Sequence, residues 1–367
     1  MTPRPAARIA IVHDYVTQQG GAERLVGEMV RLLPGATFHT SVIDQEQIPD
    51  TLRGTPIRTT PLQRVYARGV PLTALAPVLP TAFGRIRLGH ADVVVSSTTA
   101  FAHHVRPPTR AVHVAYCHAP PHFLWNTTDY FRGRETMGRL AEPALALARR
   151  SDLAAARRVD VFVANSRYTA DRIGEVYGRD AVVVHPPIDT AAFEPTTDPP
   201  GSFLVVARLR RHKRLDLAVE AATQHDWPLD VIGEGPDEAV LREAAGPTVR
   251  FLGRRSDAEV RAAMARCIAL LVPGTEDFGM TMAEVQAAGR PPVAFARGGA
   301  LEIVDDGATG FLFRKPTVEA LAAAMTRAVE SSLETDDLVA SARRFDRSIF
   351  DAGLLGVLED ARSCSAP

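Results

Sequence analysis

Apolar positions in this chain come mostly in short unbroken runs, with little of the strict alternation that marks a half-exposed strand. The first run, Arg8-Ile-Ala-Ile-Val-His-Asp14, is rich in β-branched residues and predicts a strand. Gly20 and Gly21 follow. Leu25, Val26, Met29, Val30 and Leu33 then recur at helical spacing, predicting a helix over 22–33 with one apolar face. Strand, glycine turn and helix open a nucleotide-type βαβ unit. Further apolar runs at 91–95, 111–116, 159–164 and 181–184 predict strands buried on both faces, as in a parallel sheet.

Near Phe193-Glu-Pro-Thr-Thr-Asp-Pro-Pro-Gly201 the periodicity stops and Pro and Thr dominate, which predicts a linker. The alternation then restarts. Strands are expected at 202–207, 228–232, 249–252, 268–272, 292–295 and 311–313. Helices are expected at 215–223, 237–245, 318–330 and roughly 336–360. The fold class is therefore α/β, with two doubly wound units in succession. Their expected limits are 1–195 and 200–345, with a closing helix over 346–367 crossing back to the first unit. A chain of 367 residues fits this division, since single cores stop growing at roughly 250–300 residues. Ligands in such folds sit at the carboxyl ends of the strands, so a cleft between two facing units is the expected site.

Charge and cysteine usage narrow the function. Lys and Arg total 42 against 43 Asp and Glu, a balance that argues against a nucleic-acid binder. The three cysteines are far apart in sequence and suggest neither a disulfide framework nor a zinc cluster. Residues 1–8 lack the apolar core of a leader, and no apolar run approaches the roughly 20 residues that span a bilayer. A cytoplasmic protein is expected. The stretches 61–70 and 84–88 mix arginines with apolar residues, a face for peripheral contact with anionic lipid or, more commonly, a packed helix pair with a solvated edge.

Candidate chemistry concentrates in the second half. In Leu271-Val-Pro-Gly-Thr-Glu276-Asp-Phe-Gly-Met-Thr-Met-Ala-Glu284, a strand ends near Val272 and a helix begins near Thr281, stopping at Gly289. Glu276 falls on the loop and Glu284 in the first turns of the helix. Amides around Gly279, Met280 and Thr281 can accept an anion, and a carboxylate can accept two sugar hydroxyls. One unit earlier, Arg208 leaves a strand end and Lys213 sits at a helix start. Two cations there suit a diphosphate and stabilise the charge of a departing nucleotide. Gly298 and Gly299 follow another strand and permit close backbone approach to a ligand.

Arg208 with Lys213, Glu276 with Glu284, Gly298-Gly299-Ala300 and Gly307-Ala-Thr-Gly310 together resemble family 4 of the retaining GT-B glycosyltransferases. The loop Gly20-Gly-Ala-Glu-Arg24, the run Ala164-Asn-Ser-Arg-Tyr-Thr-Ala-Asp-Arg172 and Val184-His-Pro-Pro-Ile-Asp189 agree, so the likeness spans nearly the whole chain. The stretch Tyr116-Cys-His118-Ala-Pro-Pro-His-Phe-Leu-Trp125 resembles the branch that builds O-antigen and other surface glycans, often from GDP-mannose.

The resemblance implies a nucleotide-sugar domain in the second half and an acceptor domain in the first. It implies a hexosyltransferase, with mannose from GDP-mannose as the expected donor and a lipid-linked or saccharide acceptor. A donor carrying UDP or another nucleotide is the alternative, and a catalytically silent binding subunit is a rival of another class. By the same likeness Arg208 and Lys213 bind the diphosphate, Glu284 the ribose and Glu276 the donor sugar. Phe278, Gly279, Met280 and Thr281 meet sugar and phosphates through their backbone, joined by Gly20 and Gly21. His118 lies by the reacting sugar, and Gly233, Glu234, Gly235 and Arg254 border the base. No metal or other cofactor is implied, and no Asp-x-Asp motif occurs.

Each feature also has a plainer reading. Gly20-Gly21 can be only a turn, Glu284 only a partner for the helix dipole, and His118 an ordinary strand-end histidine. Arg210, Arg211, His212 and Arg214 read as a solvated rim. His103, His104, His113 and His122 read as structural or surface residues, and His13 and Asp14 as strand-end residues that could border the site. Trp125, Tyr130 and Phe131 could stack on an acceptor sugar or be core.

Overall fold

A computed structural model describes residues 7–127 and 135–364. The chain divides into two compact units: residues 1–185 with 351–367, and residues 186–350. The division falls at His185, ahead of the Pro/Thr stretch at 193–201. Its physical basis is that the Ile188 amide donates to the Phe345 carbonyl and the Arg347 amide to Ile188 (2.8 and 3.1 Å), tying the 186–192 segment to the second unit. The last helix, Arg347–Cys364, starts in the second unit and continues in the first. The single helix expected over 336–360 is therefore two, Thr335–Ala342 and Arg347–Cys364, separated by a short turn.

The first unit holds a seven-stranded parallel sheet. Its strands are β1 (Ile9–His13), β2 (Thr37–Thr40), β3 (Ile57–Thr59), β4 (Val93–Thr98), β5 (Val112–Cys117), β6 (Val161–Ala164) and β7 (Ala181–Val183), in the order β3-β2-β1-β4-β5-β6-β7. Strands β2 and β3 were not foreseen from the sequence pattern. They are short, lie at one edge and carry threonine, histidine and arginine among the apolar residues.

The second unit holds β8 (Ser202–Val206), β9 (Leu229–Ile232), β10 (Val249–Gly253), β11 (Cys267–Val272), β12 (Pro292–Phe295) and β13 (Phe311–Phe313), all parallel, in the order β10-β9-β8-β11-β12-β13. Alternate residues of each strand point to opposite faces, and both faces are covered. Phe203, Val205, Leu271 and Val293 pack under the helices Leu215–Gln224 and Val318–Glu330. Leu204, Leu270 and Ala294 pack against Met282, Ala283 and Val285 of the helix Met280–Ala287. Unbroken apolar strand runs are the necessary consequence of that double cover.

In each sheet the order reverses once, between β1 and β4 and between β8 and β11, and the space beyond those strand ends is where open α/β sheets take ligands. At the first of these points Asp14, just past β1, is buried. Its carboxylate accepts the backbone N–H groups of Thr99, Ala100, Phe101 and Ala102 at 2.5–2.8 Å, closing the turn that follows β4. Hydrogen bonds to a charged group contribute about 1.5–3 kcal/mol, and stranding several buried amides costs more. Asp14→Ala is expected to lower stability by roughly 3–4 kcal/mol, read as a fall in the urea midpoint of the first unit. An unchanged midpoint would remove Asp14 from this structural role.

Candidate functional site

In the second unit the site is assembled by glycines. Gly233 has φ +133°, and a Cβ there would stand 1.9 Å from the Ala207 carbonyl; one on Gly235 would stand 2.3 Å from that of Leu209. Only bare backbone fits, and it lets the Leu209 amide donate to Glu234 at 2.9 Å. The Gly233 amide also donates to the Gly253 carbonyl at 2.9 Å, so the ends of β8, β9 and β10 are stitched together. Leu209 turns inward and is fully buried, whereas Arg208 is exposed, as is Arg254 beyond β10.

Lys213 closes the short turn Arg211–Lys213, and Arg214 then takes a left-handed conformation at the start of the helix Leu215–Gln224. Gly274, beyond β11, comes so close that a Cβ would lie 2.8 Å from Lys213 Cα. This brings the two switch-point loops together. Lys213 Nζ consequently donates to both oxygens of Glu276, at 2.7 and 2.6 Å. Both side chains keep about a fifth of their surface accessible (18% and 20%), so the pair is shielded yet open to a ligand.

Glu276 is also held by its backbone. The Gly299 amide donates to its carbonyl at 2.9 Å, and it forms a parallel bridge with Gly298. A Cβ on Gly298 (φ +71°) would sit 2.1 Å from the Glu276 carbonyl oxygen, and one on Gly299 2.1 Å from that of Phe278. Phe278 is buried edge-on to Phe345 at 5.2 Å and anchors the far side of the loop. Gly279 (φ +92°) is the N-cap of the helix Met280–Ala287 and provides no side-chain cap. Glu284 lies one turn inside that helix and is buried, 6% exposed. Among the expected residues of this unit, Lys213, Glu276, Phe278, Gly279, Met280 and Thr281 share one loop pair. The direct Lys213–Glu276 bond was not anticipated from the sequence, which assigned them separate partners.

The basic rim matches expectation: Arg210, Arg211 and His212 are exposed, and Arg214 pairs with Asp216 at 3.2 Å.

The switch point of the first unit is polar and buried. Gly20 is the N-cap of the helix Gly21–Leu32, and its amide donates to the Glu23 carboxylate at 3.1 Å. Glu23 is itself buried, and Gln18 donates to its other oxygen at 3.0 Å. The protein thus supplies its own anion at this helix start. Strand register sets His13 opposite Ser97, and Ser97 opposite Tyr116. The Ser97 hydroxyl stands 3.1 Å from His13 Nδ1 and 2.8 Å from His118 Nε2, linking the two rings. Burial, aided by His13, pushes the His118 pKa down to about 3, so the ring is neutral and its Nε2 shares a hydrogen bond with the Ser97 hydroxyl. Ser97 escaped the sequence reading, although a Ser-Ser-Thr ending to a valine strand was its signal.

The plainer readings hold for several residues. Tyr116 is fully buried and donates to the Val184 carbonyl at 2.7 Å, and Cys117 is a buried thiol. Trp125 Nε1 donates to Asp152 at 2.7 Å. His113 is buried against Ser96 at 2.9 Å, whereas His122 is exposed. Tyr130 and Phe131 lie outside the described residues. The stretch 61–70 carries the short helix Gln63–Tyr66, and the stretch 84–88 directly follows the short helix Leu79–Phe83. Leu79 and Phe83 are in the core, while Arg64, Arg68, Arg85 and Arg87 are exposed.

Two family models match, end to end. Glycosyltransferase Family 4 matches residues 19–192 and Glycosyl transferases group 1 matches residues 189–345. The chain belongs to the family 4, group 1 glycosyltransferases. Among curated proteins it is 38% identical to glycogen synthase of Xanthomonas euvesicatoria pv. vesicatoria over 136 residues, 34% of this chain and 26% of that one. It is 26% identical to glycogen synthase of Pseudomonas syringae pv. syringae over 276 residues, 71% of this chain and 52% of the relative. The matched region thus spans a quarter to a half of these relatives. Among solved structures, Anabaena Alr3699/HepE in complex with UDP and glucose superposes with a TM-score of 0.73 at 18% identity, covering 96% of this chain and all of that one. That likeness concerns the fold, two Rossmann-like α/β domains of the GT-B class. Among the described residues, no helix is long and apolar enough to cross a membrane.

Two predictions follow from this glycosyltransferase's geometry. Gly299→Ala should cost roughly 2–4 kcal/mol in the second unit, because its Cβ must displace the Phe278 backbone; wild-type urea unfolding would contradict the contact. The second concerns acid. Burial lowers the pKa of His113 and His118 to about 3 and, with help from Arg58, that of His39 to about 4, against 6.5 when unfolded. The unfolded chain therefore binds more protons between these values. The stability due to these neutral rings is complete above pH 6.5 and is lost as pH falls toward 3–4. Unfolding midpoints measured across that window should fall with pH, and His113→Gln should flatten the slope. A flat wild-type profile, or an unaltered slope in the variant, would contradict this.

Proposed function

We propose that this chain transfers a hexosyl group from a nucleoside-diphosphate sugar to a saccharide or lipid-linked acceptor. The observation carrying this reading is the Lys213–Glu276 pair, held by glycine-enforced loops at the switch point beside the start of the helix Met280–Ala287. A nucleotide-sugar is the ligand that answers both charges. Its diphosphate meets Lys213, with Arg208 as a second cation, and its sugar hydroxyls meet Glu276. The amides of Met280 and Thr281 face an anion with the helix dipole behind them. Glu284 is assigned to the ribose, and Gly233, Gly235 and Arg254 to the edge of the base.

Bond cleavage places negative charge on the departing diphosphate, and fixed cations stabilise that charge most at the transition state. They take the part a divalent metal plays elsewhere, so no cofactor is invoked. The leaving phosphate can take the acceptor proton, which leads to retention without a protein nucleophile. Gly20 and Gly21 are assigned to the donor's sugar and phosphates, and a neutral His118 to the reacting sugar.

Two donors are compared. Mannose from GDP-mannose follows from the likeness of residues 116–125 to surface-glycan enzymes. A UDP-sugar is favoured by the Anabaena protein, solved with UDP-glucose. The burial of Tyr116 and Cys117 explains part of the 116–125 run by packing, which shifts the weight toward the UDP-sugar. Thermal shift with UDP-glucose, ADP-glucose and GDP-mannose separates them. A donor at ~1,000 times its Kd adds about 4 kcal/mol to stability. If no nucleotide-sugar shifts the midpoint, the donor-site reading fails; if one binds with neither transfer nor slow hydrolysis, the chain is a silent binding subunit.

The residue roles predict separable kinetics. Glu276→Gln should lower kcat by roughly 100-fold or more while changing donor Kd only a few-fold, and Lys213→Ala should weaken both. Wild-type kinetics in both variants would overturn the assignment.

A further inference from the structure

Beside the Asp14-capped turn at its switch point, the first unit buries a second constellation. His103 and His104 lie on the short turn Ala102–His104 after β4, and Asp152 lies on the helix Glu135–Ala156. All three are essentially inaccessible, at 1%, 4% and 0% exposure. His103 Nε2 stands 2.9 Å and His104 Nε2 3.5 Å from the same oxygen, Asp152 Oδ1, and the three atoms lie within 4.8 Å of one another.

An ordinary histidine–carboxylate hydrogen bond would aim a ring N–H at the oxygen. Here the distances are short but the directions are wrong, and none of the three atoms has an aligned hydrogen-bond partner. Leaving a buried polar atom unsatisfied costs about 1–3 kcal/mol, and three together need an explanation. A cation toward which the lone pairs converge is one. Two ligands at the usual 2.0–2.1 Å from a tetrahedral ion are roughly 3.3 Å apart, and the observed 2.9 and 3.5 Å bracket that separation.

The surroundings fit as well. Histidine ligands to metals are normally oriented through their other ring nitrogen, and ligating carboxylates through their other oxygen. His103 Nδ1 is 3.1 Å from the Thr98 hydroxyl. Asp152 Oδ2 accepts from Trp125 Nε1 at 2.7 Å and from the Tyr177 hydroxyl at 2.9 Å. These leave His103 Nε2 and Asp152 Oδ1 for the shared centre.

We propose that His103, His104 and Asp152 form a structural site for a divalent transition metal, with Zn²⁺ the best match to two imidazoles and one carboxylate. The ion clips the turn after β4 to the helix Glu135–Ala156. It is separate from the donor chemistry proposed above and does not depend on it. Asp14 caps that same turn through its amides, so the metal and Asp14 hold it from two sides.

The test uses the full chain, stripped with a chelator, dialysed and titrated with Zn²⁺. The site predicts about one tightly held equivalent by elemental analysis and a rise in Tm of several degrees on loading, as for any ligand of the native state alone. Co²⁺ should give the visible absorption of a tetrahedral site, and X-ray absorption of the Zn²⁺ form should show two imidazoles. His104→Gln and Asp152→Asn should lose the bound metal, whereas His122→Ala should retain it. Should the first two variants not fold, the wild-type X-ray absorption decides. Zinc below about 0.1 equivalent with no change in Tm, or a bound ion without two imidazoles, overturns the proposal. The trio would then be a buried histidine–carboxylate cluster only.

Discussion

The structure rests on one constraint: parallel strands covered on both faces have no free surface for chemistry along their length. Every strand residue of the second unit's interior is committed to packing against one helix layer or the other. Polar groups that meet a ligand must therefore come from the loops at strand ends, and the loops with most room are those where strand order reverses. This is why a few residues after β8 and β11 carry the candidate chemistry while the packed faces of the sheet are mostly apolar.

The two units meet that constraint with different materials. In the second, glycine lets carbonyls and amides of neighbouring loops touch, at Gly233, Gly235, Gly298 and Gly299, so the loop geometry follows from backbone contact. In the first, buried side chains do the fixing. Asp14 gathers four amides, Glu23 turns back on Gly20, and Ser97 joins two histidines. A backbone-built site tolerates almost no added atom. A side-chain-built one tolerates change only where the replacement keeps its hydrogen bonds.

Much of this was legible in the sequence. Valine-rich and isoleucine-rich runs located most strands within two or three residues, whereas Gly298 and Gly299, singled out for approach to a ligand, prove to be required by the neighbouring backbone of Glu276 and Phe278. Strands β2 and β3 were missed because their composition does not distinguish an edge strand from a polar loop. Lys213 and Glu276 were both singled out, but their bond was not, since it depends on two loops 63 residues apart being brought together. The His103–His104–Asp152 cluster was missed for the same reason: spacing along a chain carries no information about a turn and a distant helix that meet in the core.

The Lys213–Glu276 pair has a consequence for what an empty site presents to solution. Lysine and glutamate neutralise one another, so the loop mouth has almost no net field of its own from this pair. A bare phosphate competes with Glu276 for the lysine's three N–H donors and offers the carboxylate no donor in return. A molecule that carries an anion and neighbouring hydroxyls replaces both halves of the pair in one event. On the donor-site reading proposed above, discrimination between free phosphate and a glycosylated phosphate is built into the resting arrangement, before any contact with a base or an acceptor is made.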